Sequence, residues 1–230
     1  MAATRLPDKP LLDICGKTMI QRVWERARAA TLLEEVLVAT PDEAIHRAVQ
    51  SFGGRAVMTS ATHRSGTDRL AEAAAGLDAE IIVNIQGDEP LIDPRSIERA
   101  AEPLLADPAL EMSSLMCVCP AEERDNPATV KVVCDRQGNA LYFSRARIPH
   151  ERVEAAVPVM QHIGLYAYRR GFLLRFPHLE PTPLERTESL EQLRALENGV
   201  RIRMVRVEQA PLSVDTPEDL ERVRRMVASE

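Results

Sequence analysis

Aromatic residues are scarce in this chain: one tryptophan, three tyrosines and four phenylalanines, 3% of 230 residues. That scarcity argues against a protein that stacks the bases of single-stranded nucleic acid. An excess of positive charge is missing too. The formal net charge is −6, so a nucleic-acid backbone is not the expected partner. No apolar run approaches the roughly 18 residues that suggest a membrane-crossing helix, and no signal peptide is visible. The four cysteines, Cys15, Cys117, Cys119 and Cys134, form neither a C-x-x-C zinc pattern nor a disulfide framework. They read as reduced core residues of a cytoplasmic protein. Internal repeats, low-complexity tracts and linkers are absent as well. What is present, 45% hydrophobic and 28% charged residues, describes an ordinary globular protein with a substantial core. A single domain over residues 1–230 is expected.

The pattern along the chain is an alternation. Thr18 caps a helix running to about Ala30, Val36–Ala39 reads as a strand, and Asp42–Ser51 as a second helix ended by Gly53-Gly54. Strands at Ala56–Met58 and Ile81–Ile85, a helix over Ile97–Leu105 and a strand at Met112–Val118 continue it. Short connections between such elements predict an α/β fold, a doubly wound, mainly parallel (mixed) sheet. From about 129 to 170 the pattern changes. Thr129–Cys134 and Ala140–Phe143 read as a β-hairpin, and Ile163–Tyr168 as another strand, an antiparallel excursion. A helix over Leu184–Glu197, a strand at Val200–Val207 and a helix opened by Thr216-Pro217 complete the chain.

Chemistry is expected where strands end, because open α/β sheets place their sites beyond the carboxyl ends of strands. The run Ile81–Ile85 stops at Gln86-Gly87-Asp88-Glu89-Pro90, which presents Asp88 to a hard cation carrying a phosphate. In Asp215-Thr216-Pro217-Glu218-Asp219 everything but Asp215 has a helix-capping reason, so Asp215 could share a magnesium ion with Asp88. Arg5 and Lys9, in a proline-punctuated loop, suit a clamp on a triphosphate or simply a solvated basic terminus. Ser65-Gly66-Thr67 is a loop of small residues that lets a ligand approach the backbone while Thr67 caps the helix from Asp68. Arg69 in that first turn opposes the helix dipole, a hint of a ligand. Lys131 interrupts an apolar strand, either as the guard of an edge strand or as a cation reaching a polyanion. Arg145, His162, Glu191 and Gln192 are candidates for an anionic sugar acid, which needs an arginine for its carboxylate and neutral donors for its hydroxyls.

Eight stretches, taken in order, carry a family resemblance. They are Thr4–Leu11, His63–Arg69, Asn84–Pro90, Asn126–Val133, Tyr142–Pro149, His162–Tyr168, Leu190–Arg194 and Val214–Arg222. Together they resemble the 3-deoxy-manno-octulosonate (Kdo) cytidylyltransferases, nucleotide-diphospho-sugar transferase-like enzymes of lipopolysaccharide synthesis. The resemblance implies the reaction of CTP with Kdo to CMP-Kdo and pyrophosphate in a magnesium-dependent, cytoplasmic homodimer. It implies that Arg5 and Lys9 hold the triphosphate, that Ser65, Gly66, Thr67 and Arg69 help line the cytidine pocket, and that Asp88 and Asp215 bind Mg2+. Gln86, Arg145, His162, Tyr166, Glu191 and Gln192 would surround the sugar acid, and the antiparallel excursion would serve sugar binding and dimerisation.

The sequence departs from the family at three places. An apolar first strand ending in Pro-Ala-Arg is usual before the stretch matching Met1–Lys9, Asp8 stands where glycine is usual, and Pro41 replaces an acidic residue. An interior strand contributes about 1.5–3 kcal/mol per large buried side chain, against a typical margin of about 5–15 kcal/mol. The expectation is therefore a translation start further upstream. An 8-amino-Kdo or other nonulosonic-acid cytidylyltransferase, or a truncated and catalytically impaired form, are the competing readings.

Overall fold

The computed structural model describes residues 6–63, 65–153 and 157–229. In chain order the elements are β1 (Asp13–Ile14), β2 (Lys17–Thr18), α1 (Met19–Arg28), β3 (Leu37–Thr40), α2 (Glu43–Ser51), β4 (Arg55–Met58) and α3 (Gly66–Ala75). Then come β5 (Ile81–Asn84), α4 (Pro94–Ala106), β6 (Met112–Val118), β7 (Lys131–Cys134), β8 (Ala140–Ser144) and β9 (Met160–Arg169). The chain continues through α5 (Arg170–Arg175), α6 (Pro183–Glu188), α7 (Gln192–Glu197), β10 (Ile202–Arg206) and α8 (Pro217–Ala228). It divides into two compact units, one made of Met1–Leu77, Ile85–Glu98 and Pro211–Glu230, the other of Asp78–Asn84 and Arg99–Ala210.

In the first unit β1 and β2 form a small hairpin whose turn, Cys15 (φ 52°) and Gly16 (φ 80°), is left-handed at both central residues. Two-residue hairpin loops need that conformation to match the strand twist. Cys15 is therefore a turn residue and exposed, which corrects its reading as core; Cys117 and Cys119 are buried and Cys134 is half-buried. Thr18 accepts a hydrogen bond from Gln21 N and starts α1, whose buried face is Met19, Ile20, Val23 and Ala27. β3 and β4 pair in parallel, from Leu37 opposite Arg55 to Thr40 opposite Met58, with α2 as the crossover. The chain's last helix, α8, begins with a capping box between Thr216 and Asp219 and with Pro217 in its first turn. Its Leu220 and Val223 join Ile14, Met19 and Val214 in a buried apolar cluster, with Leu6, Leu12, Leu91 and Leu212 packed against it.

The second unit is a six-stranded sheet organised on β9. One edge of β9 pairs antiparallel with β6 along its length; the other pairs with β5 at Tyr166–Arg169 and with β7 at Met160 and Gln161. β10 runs parallel to β6, and β8 closes the far side of β7. The expected α/β fold with a mixed sheet is present, but among the described residues the sheet is not mainly parallel, since only β10–β6 and β3–β4 pair in parallel; the expected hairpin and its companion strand supply β7, β8 and β9. The antiparallel segment is more than an excursion, since β9 carries the sheet.

Two expectations are corrected here. The predicted helix over Leu184–Glu197 is two short helices, broken at Ser189, which adopts left-handed φ 53° and ψ 50° and caps α6. β7 lies between β9 and β8, so Lys131 is not on an edge. No described helix is long and apolar enough to cross a membrane.

Candidate active site

The chain leaves β5 at Asn84 and turns so that Glu89 N donates to Gln86 O at 3.4 Å. This turn carries Asp88. It is fastened to the segment before α8 by the hydrogen bond from Val214 N to Asp88 O, 2.9 Å, while the Val214 side chain is fully buried in the apolar cluster. Asp215 follows directly, half of a rigid corner because its N donates to Asp219 Oδ2. Lys9 meets both. It opens a 3-10 turn capped by Asp8 in the left-handed region (φ 51°), the conformation glycine adopts most freely. Its Nζ donates to Asp88 Oδ2 at 2.7 Å, to Val214 O at 2.9 Å and to Asp215 Oδ1 at 3.1 Å. Burial works against the ammonium, yet the hydrogen bonds and charges of Asp88 and Asp215 outweigh it and hold its pKa above the ordinary lysine value.

Two carboxylates thus converge on one cationic atom, the arrangement a divalent ion requires. Among the described residues no group of three or more His, Cys, Asp or Glu could hold a metal. A magnesium ion at Asp88 and Asp215 would complete its shell with phosphate oxygens and water, its ordinary habit.

Sequence reasoning passed over Glu89. It is 5% exposed, and its Oε2 is buried without a hydrogen-bond partner. Burial, then the charge of Asp88, push its pKa up to about 7. Its signal in the sequence was only its place beside Asp88 at a strand end.

In the same unit, α3 begins earlier than expected. Ser65, not Thr67, is its cap, accepting from Asp68 N at 3.1 Å; Gly66 is exposed and Thr67 is buried. Nothing lies within 4 Å of where a Cβ on Gly66 would stand, so the backbone there is open to a ligand. Arg69 is held by the neighbouring loop, its Nη1 donating to Thr59 Oγ1 at 2.7 Å and Ser60 O at 3.2 Å. Gln86 is exposed on the Asp88 turn. Arg5 lies outside the described residues.

The second unit gathers His162, Tyr166 and Glu191. The rings of His162 and Tyr166 are 5.4 Å apart, and Phe143 stands edge-on to His162 at 4.9 Å. Ser114, buried at a bulge of β6 against β9, has its Oγ 2.9 Å from His162 Nε2 and 3.0 Å from the carbonyls of Ile163 and Leu165. Since carbonyls only accept, the one hydroxyl proton belongs to them, and Nε2 must donate to Ser114. His162 is therefore a neutral imidazole with an acceptor at Nδ1, in keeping with a pKa that burial lowers to about 3. Burial and the charge of Glu191 push the Tyr166 phenol above its ordinary range, so it stays protonated. Gln192 is 5% exposed, and its Nε2 is buried without a hydrogen-bond partner. An unmet buried donor costs about 1–3 kcal/mol and calls for a reason, which a ligand's oxygen would supply.

Arg145 and Lys131 turn to the chain instead. Arg145 donates from Nε to Glu188 O (2.8 Å), from Nη1 to Pro127 O (2.9 Å) and from Nη2 to Ser189 O (3.3 Å). It pins the corner between α6 and α7 that presents Glu191 and Gln192, rather than offering a fork to a carboxylate. Lys131 is fully buried and its Nζ donates to the carbonyls of Asn126, Thr129 and Arg145. Three carbonyls take its three protons, so neither the edge-guard nor the polyanion reading describes it.

The mixed-sheet α/β fold is that of a nucleotidyltransferase. The cytidylyltransferase family pattern matches residues 1–202. The 3-deoxy-manno-octulosonate cytidylyltransferase of Syntrophotalea carbinolica is 53% identical over 232 residues, covering 96% of this chain and 93% of that protein. That of Geobacter metallireducens is 51% identical, covering 96% and 92%. A solved structure of CMP:2-keto-3-deoxy-manno-octonic acid synthetase complexed with CTP superposes with a TM-score of 0.96 at 46% identity, over 99% of this chain and 95% of that one. The chain belongs to the 3-deoxy-manno-octulosonate cytidylyltransferase family.

Proposed function

We propose that this chain, acting as one nucleotidyltransferase domain, joins CTP and Kdo to give CMP-Kdo and pyrophosphate in the cytoplasm, in the service of lipopolysaccharide synthesis. The observation that carries the reading is Lys9 set between Asp88 and Asp215. In this reaction the sugar's anomeric hydroxyl oxygen forms a bond to the α-phosphorus of CTP. The bond from that phosphorus to the bridging oxygen breaks, pyrophosphate leaves, and the hydroxyl proton passes to solvent or a phosphate oxygen. Such transfers need positioning and charge neutralisation more than covalent help. A magnesium ion held by Asp88 and Asp215 would neutralise phosphate charge.

The protein's own residues supply the rest. Lys9 turns from the carboxylates to the triphosphate, with Arg5 as its companion. Ser65, Gly66 and Thr67 bring backbone and small side chains to the nucleotide, with Arg69 bracing that loop. Gln86, His162, Tyr166, Glu191 and Gln192 bind sugar hydroxyls: Tyr166 as a protonated donor, His162 through its Nδ1 acceptor, and Gln192 through its unmet Nε2. Arg145 and Lys131 position the surrounding backbone. Assembly as a homodimer is supported by Leu141, Val153 and Val157, exposed by 57% or more in the second unit.

The test is pyrophosphate release from CTP, Kdo and magnesium, with 8-amino-Kdo as the competing sugar. Kdo should be preferred, and Asp88→Asn or Asp215→Asn should lower turnover at least a hundredfold. Turnover by the two asparagine variants close to that of the parent would defeat the assignment.

A further inference from the structure

The Lys9 ammonium has three protons and three acceptors: Asp88 Oδ2 at 2.7 Å, Val214 O at 2.9 Å and Asp215 Oδ1 at 3.1 Å. No proton remains for a phosphate oxygen, so holding the carboxylates and holding a triphosphate are alternatives. The backbone beneath Lys9 is fixed. Leu11 N donates to Asp8 O at 2.8 Å and Leu12 N to Lys9 O at 3.2 Å, while Leu6 and Leu12 on either side pack against the buried apolar cluster. A change of partner therefore belongs to the flexible four-carbon side chain. Lys131 makes the contrast. It also uses its three protons, but on carbonyls and in full burial, where no ion from solvent competes. At Lys9 two of the three acceptors are carboxylates, the charged oxygens a divalent ion seeks, and the Asp215 side chain is 68% exposed, within reach of an ion from solvent.

We propose that Lys9 is the resident counter-ion of the carboxylate pair: a divalent cation displaces its ammonium, and that displacement frees Lys9 for the nucleotide's triphosphate. The proposal rests on the metal assignment made above and adds an exchange of cations to it. Without the ion, Lys9 reaches a phosphate only by giving up three hydrogen bonds and leaving two like charges to face each other and the incoming anion. With the ion between the carboxylates, those bonds are already broken and that repulsion is already neutralised. Metal and triphosphate are thus coupled through one side chain, and because such coupling is reciprocal, each strengthens the binding of the other. The exchange has a second consequence. A lysine that serves only the triphosphate has no effect on metal binding when nucleotide is absent, whereas a resident counter-ion weakens it.

The test has two arms, both on the full chain without nucleotide. In the first, Mn2+ binding is read as the loss of the free-ion electron paramagnetic resonance signal, for the parent and for K9M. K9M is expected to bind Mn2+ about tenfold more tightly. The second arm uses the unaltered protein, whose lysines are three, Lys9, Lys17 and Lys131. Their acetylation by acetic anhydride is followed by mass spectrometry with and without Mg2+. Saturating Mg2+ should raise the rate at Lys9 by about fivefold or more. Lys17, in a surface pair with Glu25, should be labelled at the same rate in both conditions. This arm keeps the proposal testable should K9M fail to fold. A K9M affinity within twofold of the parent would overturn the proposal. So would a Lys9 labelling rate that Mg2+ leaves unchanged, since a lysine acting on the ion only through its charge would keep its three bonds. Failure of both proteins to bind Mn2+ would overturn it together with the metal assignment. Both expected effects in a protein that releases no pyrophosphate from CTP and Kdo would leave the exchange standing and sink the substrate reading.

Discussion

The Lys9 ammonium lies 2.7 Å from an Asp88 carboxylate oxygen and 3.1 Å from one of Asp215, residues 79 and 206 positions away in the chain. A cation from the first turn of the described chain therefore neutralises a carboxylate pair drawn from its middle and its end.

Replacing that cation should expose the pair's repulsion. Lys9→Met is expected to destabilise the metal-free protein by about 1–3 kcal/mol, the range for losing charge-assisted hydrogen bonds. Magnesium should raise its melting temperature by more than it raises that of the parent. Calorimetric scans of both proteins with and without Mg2+ check this, and equal shifts would refute it.

Acid should destabilise the protein in two steps. His162 is neutral in the fold, with a pKa of about 3 caused by burial, while an unfolded histidine titrates near 6.5. Its contribution is present above about 6.5 and is lost as pH falls toward 3, because only the unfolded chain binds the proton there. Glu98 accepts from Thr31 N and Oγ1 and from Arg95, which hold its pKa at about 2, so its contribution is lost between about 4.5 and 2. Buried Glu89, with its pKa raised to about 7, works the other way between about 7 and 4.5, so urea midpoints measured from pH 8 to 3 should fall most steeply below about 4.5, and Glu98→Gln should flatten that lower part of the curve.

The α6–α7 corner depends on an ion pair. Arg194 lies against both Glu185 oxygens at 2.8 and 2.5 Å, with its guanidinium 4.8 Å from the Phe176 ring centroid. Glu185 and Arg194 are 12% and 10% exposed. Removing one partner of so enclosed a pair strands the other; Arg194→Met should cost about 3 kcal/mol. Adding Glu185→Gln to it should cost far less than a second such loss, as a double-mutant cycle in urea would show.

Gln192 should separate stability from function. Its unmet Nε2 gains nothing from the ligand-free fold, so Gln192→Leu is expected to leave the melting temperature unchanged or higher. The KM for the sugar acid should rise at least tenfold while that for CTP stays within twofold. Steady-state pyrophosphate release with each substrate varied decides it.

Much of the architecture is legible because local rules carry it. The apolar run of β6 has the bounds read from the sequence, Met112–Val118, and the caps at Thr18 and Thr216 start α1 and α8 as their chemistry dictates. The helix expected over Leu184–Glu197 failed because a left-handed Ser189 leaves no mark on apolar periodicity. Thr67 was expected to cap α3, but Ser65 Oγ accepts from Asp68 N and Thr67 lies buried in the first turn.

The sequence by itself determined the alternation of elements, the family and the pairing of Asp88 with Asp215, because each is written in short motifs. Only the tertiary structure decided where the cations went. Lys9 reached the carboxylates, whereas Lys131 and Arg145 were drawn to backbone carbonyls that the sheet and the α6–α7 corner left unpaired. A buried donor must find an acceptor, and which acceptor is near is set by chain segments that come together only when the protein folds.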